Sequence, residues 1–597
     1  PIQMHNFADQ CLDMARVILS HNIGAVGADG SIEPAPGELG RSDEAGHAAF
    51  ALGEFYRATQ ETRIGQTDIV ELVARCVSSQ LRQETESENG LAYAALGLLS
   101  FGPSKERNAP WSVLDETSRD LLDKRLLVRT DYSDHRQAFN IGKAVTRFSL
   151  GLSKKDETGR LIERFIERVK SNSTGGFCDD LPRTPENLGV LGGCFDLHGV
   201  MQYVFIRQSL QLHANIHLRE RKLPTLRTYA EKYLKMLPDI VRADGLGWCT
   251  GAGTGAYGQM HLISLILQAM RDGWIAADKM PLYKDLLRRL FLFFFMTFID
   301  QEQGVLVIRD GERDTDAEHT TRIANFDAAR YLCQWSRLAK TVGGALGDVP
   351  AAVPANGKPT CRFISFDRSG RKEQGLCVYR NPANGLHVQI PIASGGARGD
   401  SDALAFPHMP GVFDAPVGRC VPAFLPEWTI GEHTFTPSFY GKNIAVGFGM
   451  KNAFRFTYEQ PELITTDEKI VPGVASCRVE WEFLEGKMTL RCTLQAKQPV
   501  QLNSMRFVMP IAAAHSRYHL DSSFRLGEKS FGCSVPKDDF QGVWLDYENV
   551  SEDPAQRTRY GKIYYYQTFV RATPLRLRPG LPYRIEISFE PDVATIA

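Results

Sequence analysis

From the N-terminus to about Gly344, apolar residues recur three and four positions apart, and the breaks between runs are short stretches of Gly, Pro, Asn and Asp. That is the helical period, so the first half of the chain reads as nearly all helix. Helices beginning near His47, Leu91, Asn140, Gly199, Gly258 and Phe326 share a style. Each has a Gly-rich or polar opening and then mixed small and large apolar residues, as in HAAFALGEFYRAT, LAYAALGLLSF and YGQMHLISLILQAM. They recur every 45 to 70 residues, roughly one helical hairpin per period, and each hairpin needs neighbours to cover its apolar face. A closed or nearly closed α/α toroid of about six hairpins is the economical solution. In such a ring the openings of the inner helices gather at one end, and residues far apart in sequence face one cavity.

After Gly344 the texture changes. The segment GALGDVPAAVPANGKPT has no period and is rich in Ala, Pro and Gly, which marks a linker. Beyond it, runs such as CRFISFDRSG, LHVQIPIA, SCRVEWEFLEGKMTLRCTLQ and LPYRIEISFE alternate or are β-branched and are set apart by turn residues. They predict a large antiparallel β-sandwich. The expected division is therefore 1–345 toroid, 346–360 linker and 361–597 sandwich. The longest apolar run, LFLFFFMTFI from Leu290 to Ile299, is half a membrane span and reads as a buried helix.

Composition narrows the function. With 69 Lys and Arg against 70 Asp and Glu, the formal charge is −1, so no global field draws the chain to nucleic acid or to an acidic membrane. An anionic ligand must be met by local arginines. The 12 cysteines form no CxxC pairs and read as free buried thiols. No signal peptide is visible in a chain that starts at Pro1.

The chemistry centres on the segment from Phe195 to Leu262. It places His198 at the head of one helix and Tyr257 at the head of the next, two groups able to move protons across a shared cavity. Gln202 lies one helical turn beyond His198 and is expected on the same face. VLVIRDGERDTDAEHTTR supplies Arg309, Arg313 and Arg322 as candidate anion contacts. Tyr203, Trp248 and Trp428 are candidates for stacking on sugar faces. His135, Arg136 and Asn140 open another inner helix, where they either line the same cavity or serve as a structural cluster. Asp179 and Asp180, in a loop before His198, could bind a cation or act as hydrolytic acids. Asp400, Asp402, His408 and His433 could supply metal ligands in the sandwich, but no two have the spacing of a known metal site. The Gly-rich GWCTGAGTGAYG lacks both the preceding strand and the Lys-Ser/Thr of a phosphate loop, and reads as a tight helix opening.

A helical toroid followed by a large sandwich resembles the layout of several polysaccharide lyase families. DLHGVMQYV around His198 looks like the Asn-His-Gly segment of alginate lyases and the His-bearing segment of heparinase II/III-like lyases. TGAGTGAYGQMHLISLILQAM around Tyr257 resembles the Tyr-Thr-Gly-Ala-Tyr-Gly helix start of chondroitin and hyaluronate lyases. RGDSDALAFPHMPGVFDAP, from Arg398, resembles the first sandwich strands of the heparinase II/III-like domain. The sequence departs from these patterns at Leu197 for an Asn, Gly253 for a Tyr, Trp248 near a His, and Arg398 and Asp400 for histidines.

The resemblance implies β-elimination on a uronic-acid-containing polysaccharide: glycosaminoglycan, alginate or glucuronan. Such a reaction needs a base at the carbon beside the carboxylate, an acid at the leaving oxygen and neutralisation of the carboxylate. On that reading Tyr257 is the acid, and also the base if a cation lowers its pKa. His198 is the partner base or carboxylate contact. Arg313 completes the catalytic set, and Gln202, Tyr203, Trp248, Arg309, His135, Asn140, Asp400 and His408 contact substrate. No cofactor is required, although a structural divalent cation is compatible with the sequence. The expected partner is an acidic polysaccharide or oligosaccharide, with no nucleic acid and no membrane, in a secreted or periplasmic setting or otherwise a cytoplasmic one. Two alternatives remain open on the same scaffold. One is a glycoside hydrolase using two carboxylates from Asp179, Asp180, Glu312 and Asp400. The other is a non-catalytic glycan-binding protein.

Overall fold

The computed structural model describes residues 6–591 except 36–38, 130–131, 133–135, 179–194, 196–197, 249–254, 301, 307, 310–311, 314–321, 343–356, 369–372, 394–405, 410–412, 415–424, 512–515, 520–522, 527–528, 535–538, 540–541, 547–564 and 572. The helices are α1 (Phe7–Asn22), α2 (Glu44–Thr59), α3 (Ile69–Leu81), α4 (Glu88–Leu99), α5 (Ala109–Val113), α6 (Glu116–Arg125), α7 (Arg136–Ser149), α8 (Thr158–Asn172), α9 (His198–Gln211), α10 (Ile216–Ile240), α11 (Gly255–Arg271), α12 (Met280–Phe298) and α13 (Arg322–Thr341). Each of the six inner helices expected from the sequence is present.

These six close on themselves. α2 packs on α4, α4 on α7, α7 on α9, α9 on α11, α11 on α13, and α13 returns to α2. The small residues of the inner helices make the close crossings. A Cβ on Gly46 would stand 2.2 Å from the Gly90 carbonyl oxygen, and one on Gly97 would stand 2.5 Å from the Ala49 backbone. Backbones this close admit only glycine, which explains the Gly-rich style of these segments. The outer helices present one apolar stripe to the ring and charge to solvent, as in α8, where Leu161, Ile162, Phe165, Ile166 and Val169 face inward. The run at Leu290 lies in α12, with Leu290, Phe291, Phe294 and Phe298 fully buried. Among the described residues no helix is long and apolar enough to cross a membrane.

The second half is built of antiparallel sheets with five, six and eight strands. Ala475–Leu484 turns Ala475, Cys477, Val479, Trp481 and Phe483 to one buried face, the two-residue alternation read from the sequence. Leu386–Ile392 is instead buried at every position, because its sheet lies between the sandwich core and the toroid. Gln389 Nε2 donates to the Ile240 carbonyl at 2.8 Å, Arg380 pairs with Asp239 at 3.1 Å, and Gly175 N donates to the Phe366 carbonyl at 3.0 Å. The expected linker lies outside the described residues except at its end, and Thr360 already belongs to the first strand, Thr360–Asp367.

Candidate active site at the mouth of the helical ring

The starts of the inner helices converge at one end of the ring. His198 is the first residue of α9 and is half-buried. Its backbone is pinned from behind: Tyr229 Oη donates to the Gly199 carbonyl at 2.7 Å, and a Cβ on Gly199 would stand 2.1 Å from Tyr233 Oη. Only glycine fits after this histidine. Tyr257 lies in the first turn of α11, which opens at Gly255 in a left-handed conformation with φ +71°. Gln259 anchors that turn by accepting from Gly247 N at 3.0 Å and donating to the Leu290 carbonyl at 3.1 Å. His261, four residues after Tyr257, is buried with its ring 6.3 Å from that of Tyr257.

The half-buried Tyr257 hydroxyl donates to Asp327 Oδ2 at 2.7 Å. Asp327, in the first turns of α13, receives His47 Nδ1 of α2 on its other oxygen at 2.6 Å and faces Arg330 at 3.6 Å. The Arg330 guanidinium lies 4.8 Å from the rings of Phe50 and Tyr93 and 4.5 Å from Tyr331, an aromatic cage suited to a cation. Asp43, before α2, stands 3.4 Å from His47 Nε2. The cluster holds two carboxylates and two cations.

The electrostatics follow. Burial works against a charged His47, but the charge and hydrogen bond of Asp327, then those of Asp43, push its pKa up to about 9. Burial would raise Asp327, yet His47, Arg330 and the Tyr257 hydrogen bond keep it below the usual carboxylate value. Burial raises the Tyr257 phenol well above its ordinary value, and the adjacent Asp327 charge raises it further. Burial lowers His261 to about 3, with His198 and Arg330 contributing, so this imidazole is neutral and lies within electrostatic reach of His198. The cation that would make Tyr257 a base does not govern it, since Arg330 is outweighed by burial and by Asp327. The group held against the phenol is an anion, which keeps it protonated.

The other sequence candidates separate into three groups. Gln202, Tyr203, Trp248, Asn140 and Trp428 are buried in walls and cores rather than on the mouth. Gln202 accepts from Arg168 Nη2 at 2.9 Å, Tyr203 packs on Trp274, Trp248 stacks on Phe366 at the domain seam, and Asn140 bonds the Arg129 backbone. Buried against these partners, they do not offer the substrate contacts expected of them; for Gln202, helical spacing gives the face but not what that face meets. Arg322 ties α13 to Asn22 and the Glu33 carbonyl. Arg309 and Arg313 lie in a two-stranded hairpin, Ile308–Arg309 paired with Glu312–Arg313, whose second strand packs beside α11. His408 lies in the strand Phe406–Met409, opposite His387. His135, Asp179, Asp180, Leu197, Gly253, Arg398, Asp400 and Asp402 lie outside the described residues. His433 is exposed on a short strand of the sandwich. No group of three metal-ligating side chains occurs among the described residues.

His47, Asp327, Arg330 and His261 were not singled out for chemistry from the sequence. The available signal was charge on helices that are otherwise apolar all round, as in IANFDAARYL, where Asp327 and Arg330 interrupt a buried face.

No family model matches the chain, and no curated protein is similar to it in sequence. Solved structures are similar at low identity. A Paenibacillus xanthan lyase is 8% identical at a TM-score of 0.49, with 99% of this chain and 57% of that one covered. A Streptomyces coelicolor A3 chondroitin AC lyase is 10% identical at 0.42, with 98% and 83% covered. A mutant heparan sulfate lyase of Pedobacter heparinus is 10% identical at 0.32, with 92% and 88% covered.

Proposed function

We propose that this protein is a polysaccharide lyase that cleaves a uronic-acid-containing polysaccharide by β-elimination, with Tyr257 as proton donor and His198 as base. The observation that carries the reading is the Tyr257 hydroxyl held at 2.7 Å on a buried, charge-balanced Asp327, at the same end of the ring as His198. A sugar alkoxide is a strongly basic leaving group. The acid that serves it must stay protonated until the carbon–oxygen bond breaks, and a phenol raised by burial and by Asp327 meets that requirement. His198 takes the proton from the carbon beside the substrate carboxylate while Tyr257 delivers its own to the bridge oxygen. The cations His47 and Arg330 lie behind the phenol and oppose the negative charge that develops there. The Arg309–Arg313 hairpin, packed beside the helix that bears Tyr257, supplies the arginines that neutralise the substrate carboxylate.

The test is an ultraviolet scan of the purified protein mixed in turn with alginate, hyaluronan, chondroitin sulfates, heparan sulfate and glucuronan, with reducing ends counted in parallel. Conjugated unsaturation rising with reducing ends is the expected result and names the polymer. Reducing ends without unsaturation would transfer the site to hydrolysis, and neither signal with retained oligosaccharide binding would make the protein a glycan-binding module.

A further inference from the structure

A chain of side-chain contacts runs from the ring mouth to its rim. Tyr257 Oη meets Asp327 Oδ2 at 2.7 Å, Asp327 Oδ1 meets His47 Nδ1 at 2.6 Å, and His47 Nε2 meets Asp43 Oδ2 at 3.4 Å. The last is an ion-pair distance rather than a formed hydrogen bond. Asp43 is held in turn by Asn89 Nδ2 at 2.8 Å and by the exposed Arg41 at 3.4 Å. An imidazole with a carboxylate oxygen at each ring nitrogen serves both only as an imidazolium, because the neutral ring donates from one nitrogen. Other groups also face this cluster. Glu44 adjoins it on α2, Tyr93 of α4 meets its ring edge-on at 4.6 Å, and α13 brings Arg330 and Tyr331 beside Asp327. From α3, Gln80 contributes only a neutral amide, which accepts from Gly46 N.

We propose that His47 is a positioning residue for Tyr257: clamped as an imidazolium between Asp43 and Asp327, it fixes the Asp327 carboxylate so that the second oxygen holds the Tyr257 hydroxyl ready to donate. This rests on the reading of Tyr257 as proton donor. His47 never touches substrate; it acts through Asp327. Its pKa of about 9 means that the clamp is closed at neutral pH and opens as the medium becomes alkaline.

The experiment uses the full chain labelled with ¹⁵N-histidine, with the His47 signal assigned by its loss in His47→Gln. Both ring nitrogens are expected to be protonated at pH 7 and to titrate together. Asp327→Asn should lower that midpoint by about two pH units or more, and Tyr257→Phe should raise it, because Asp327 then keeps its full charge for His47. A singly protonated ring at pH 7, or a midpoint indifferent to Tyr257→Phe, overturns the proposal. These readouts need no turnover, so they decide the proposal even if no uronic polymer is cleaved and the lyase reading falls. Where elimination is observed, His47→Gln keeps one hydrogen bond but no charge. It should lower kcat about tenfold or more with KM little changed, and should remove the alkaline limb of the pH profile near pH 9. A loss of folded protein with an unchanged profile would make His47 merely structural and refute the idea.

Discussion

Replacing Asp327 with Asn isolates the charge at the mouth of the ring without changing the side chain's shape. The carboxylate is the partner of His47 at 2.6 Å and faces Arg330 at 3.6 Å, all three side chains being buried. Removing one member of a buried ion pair leaves the other desolvated and unmatched, at a cost of about 3–5 kcal/mol. The His47 share can be worked separately. A histidine raised from 6.5 to about 9 contributes about 3 kcal/mol of stability. Because the folded value is the higher, this contribution is fully present below pH 6.5 and is lost as pH rises through 9. Asp327 is depressed instead, so its own contribution is present above the ordinary carboxylate value and is lost as pH falls below it. The penalty of Asp327→Asn should therefore be largest near pH 5–6.5 and should shrink by up to about 3 kcal/mol toward pH 10. Urea unfolding followed by tryptophan fluorescence measures it. Trp335, fully buried on the same helix and bonded to Ser264 of α11 at 2.8 Å, reports the inner ring. A cycle with His47→Gln should return a coupling of about 2 kcal/mol or more at pH 6. A penalty flat from pH 6 to pH 10, or a coupling under about 0.5 kcal/mol, would show that the cluster is not an electrostatic unit.

Tyr257→Phe should abolish detectable elimination while oligosaccharide binding, followed by calorimetry, stays within a few-fold of wild type; retained turnover would remove the phenol from the mechanism. Gly199→Ala puts a methyl group 2.1 Å from Tyr233 Oη and should cost about 1–3 kcal/mol in chemical denaturation while displacing His198. Adding Tyr233→Phe, which removes the colliding oxygen, should recover part of that loss; no recovery would mean the clash lies elsewhere. Arg313→Ala should raise KM for the polymer more than it lowers kcat, read from initial rates at low ionic strength, and a selective fall in kcat would make Arg313 a participant in the chemistry instead.

The architecture was legible because it is written in short-range periods. Inner helices that cross at glycine must be apolar all round, so LAYAALGLLSF and YGQMHLISLILQAM announce their positions in the ring. His198 and Tyr257 were visible for the same reason, as polar residues at the heads of such helices. Their partners were not. His47 and Asp327 are 280 residues apart and meet only because α13 closes the ring on α2, a contact no local pattern encodes. Gln202 illustrates the opposite error. Its position one turn after His198 follows from the helical period, but α8 brings Arg168 against that face and takes the amide. Trp428, a stacking candidate by residue type alone, is likewise taken up by the sandwich core.

The same pair of helices offers an internal contrast that bears on what the buried charge is for. Toward its other end α2 carries Glu54, fully buried, which pairs with Arg57 at 3.1 Å and with Arg337 of α13 at 3.2 Å, both partly open to water. That carboxylate is answered entirely by arginines, and burial is offset at modest cost because the cations keep some solvent. Asp327 is treated differently. One of its oxygens goes to a buried imidazolium and lies 3.6 Å from Arg330, and the other accepts from a neutral phenol. Both carboxylates are held below their ordinary value by the groups around them, and in either place apolar residues of similar volume would often stabilise the core as well or better. What distinguishes Asp327 is the proton-bearing oxygen it holds at the ring mouth, in a field balanced by Arg330 and His47. Of the two buried carboxylates on this pair of helices, the one that holds a phenol hydroxyl is thus the one whose substitution bears on the proposed proton transfer.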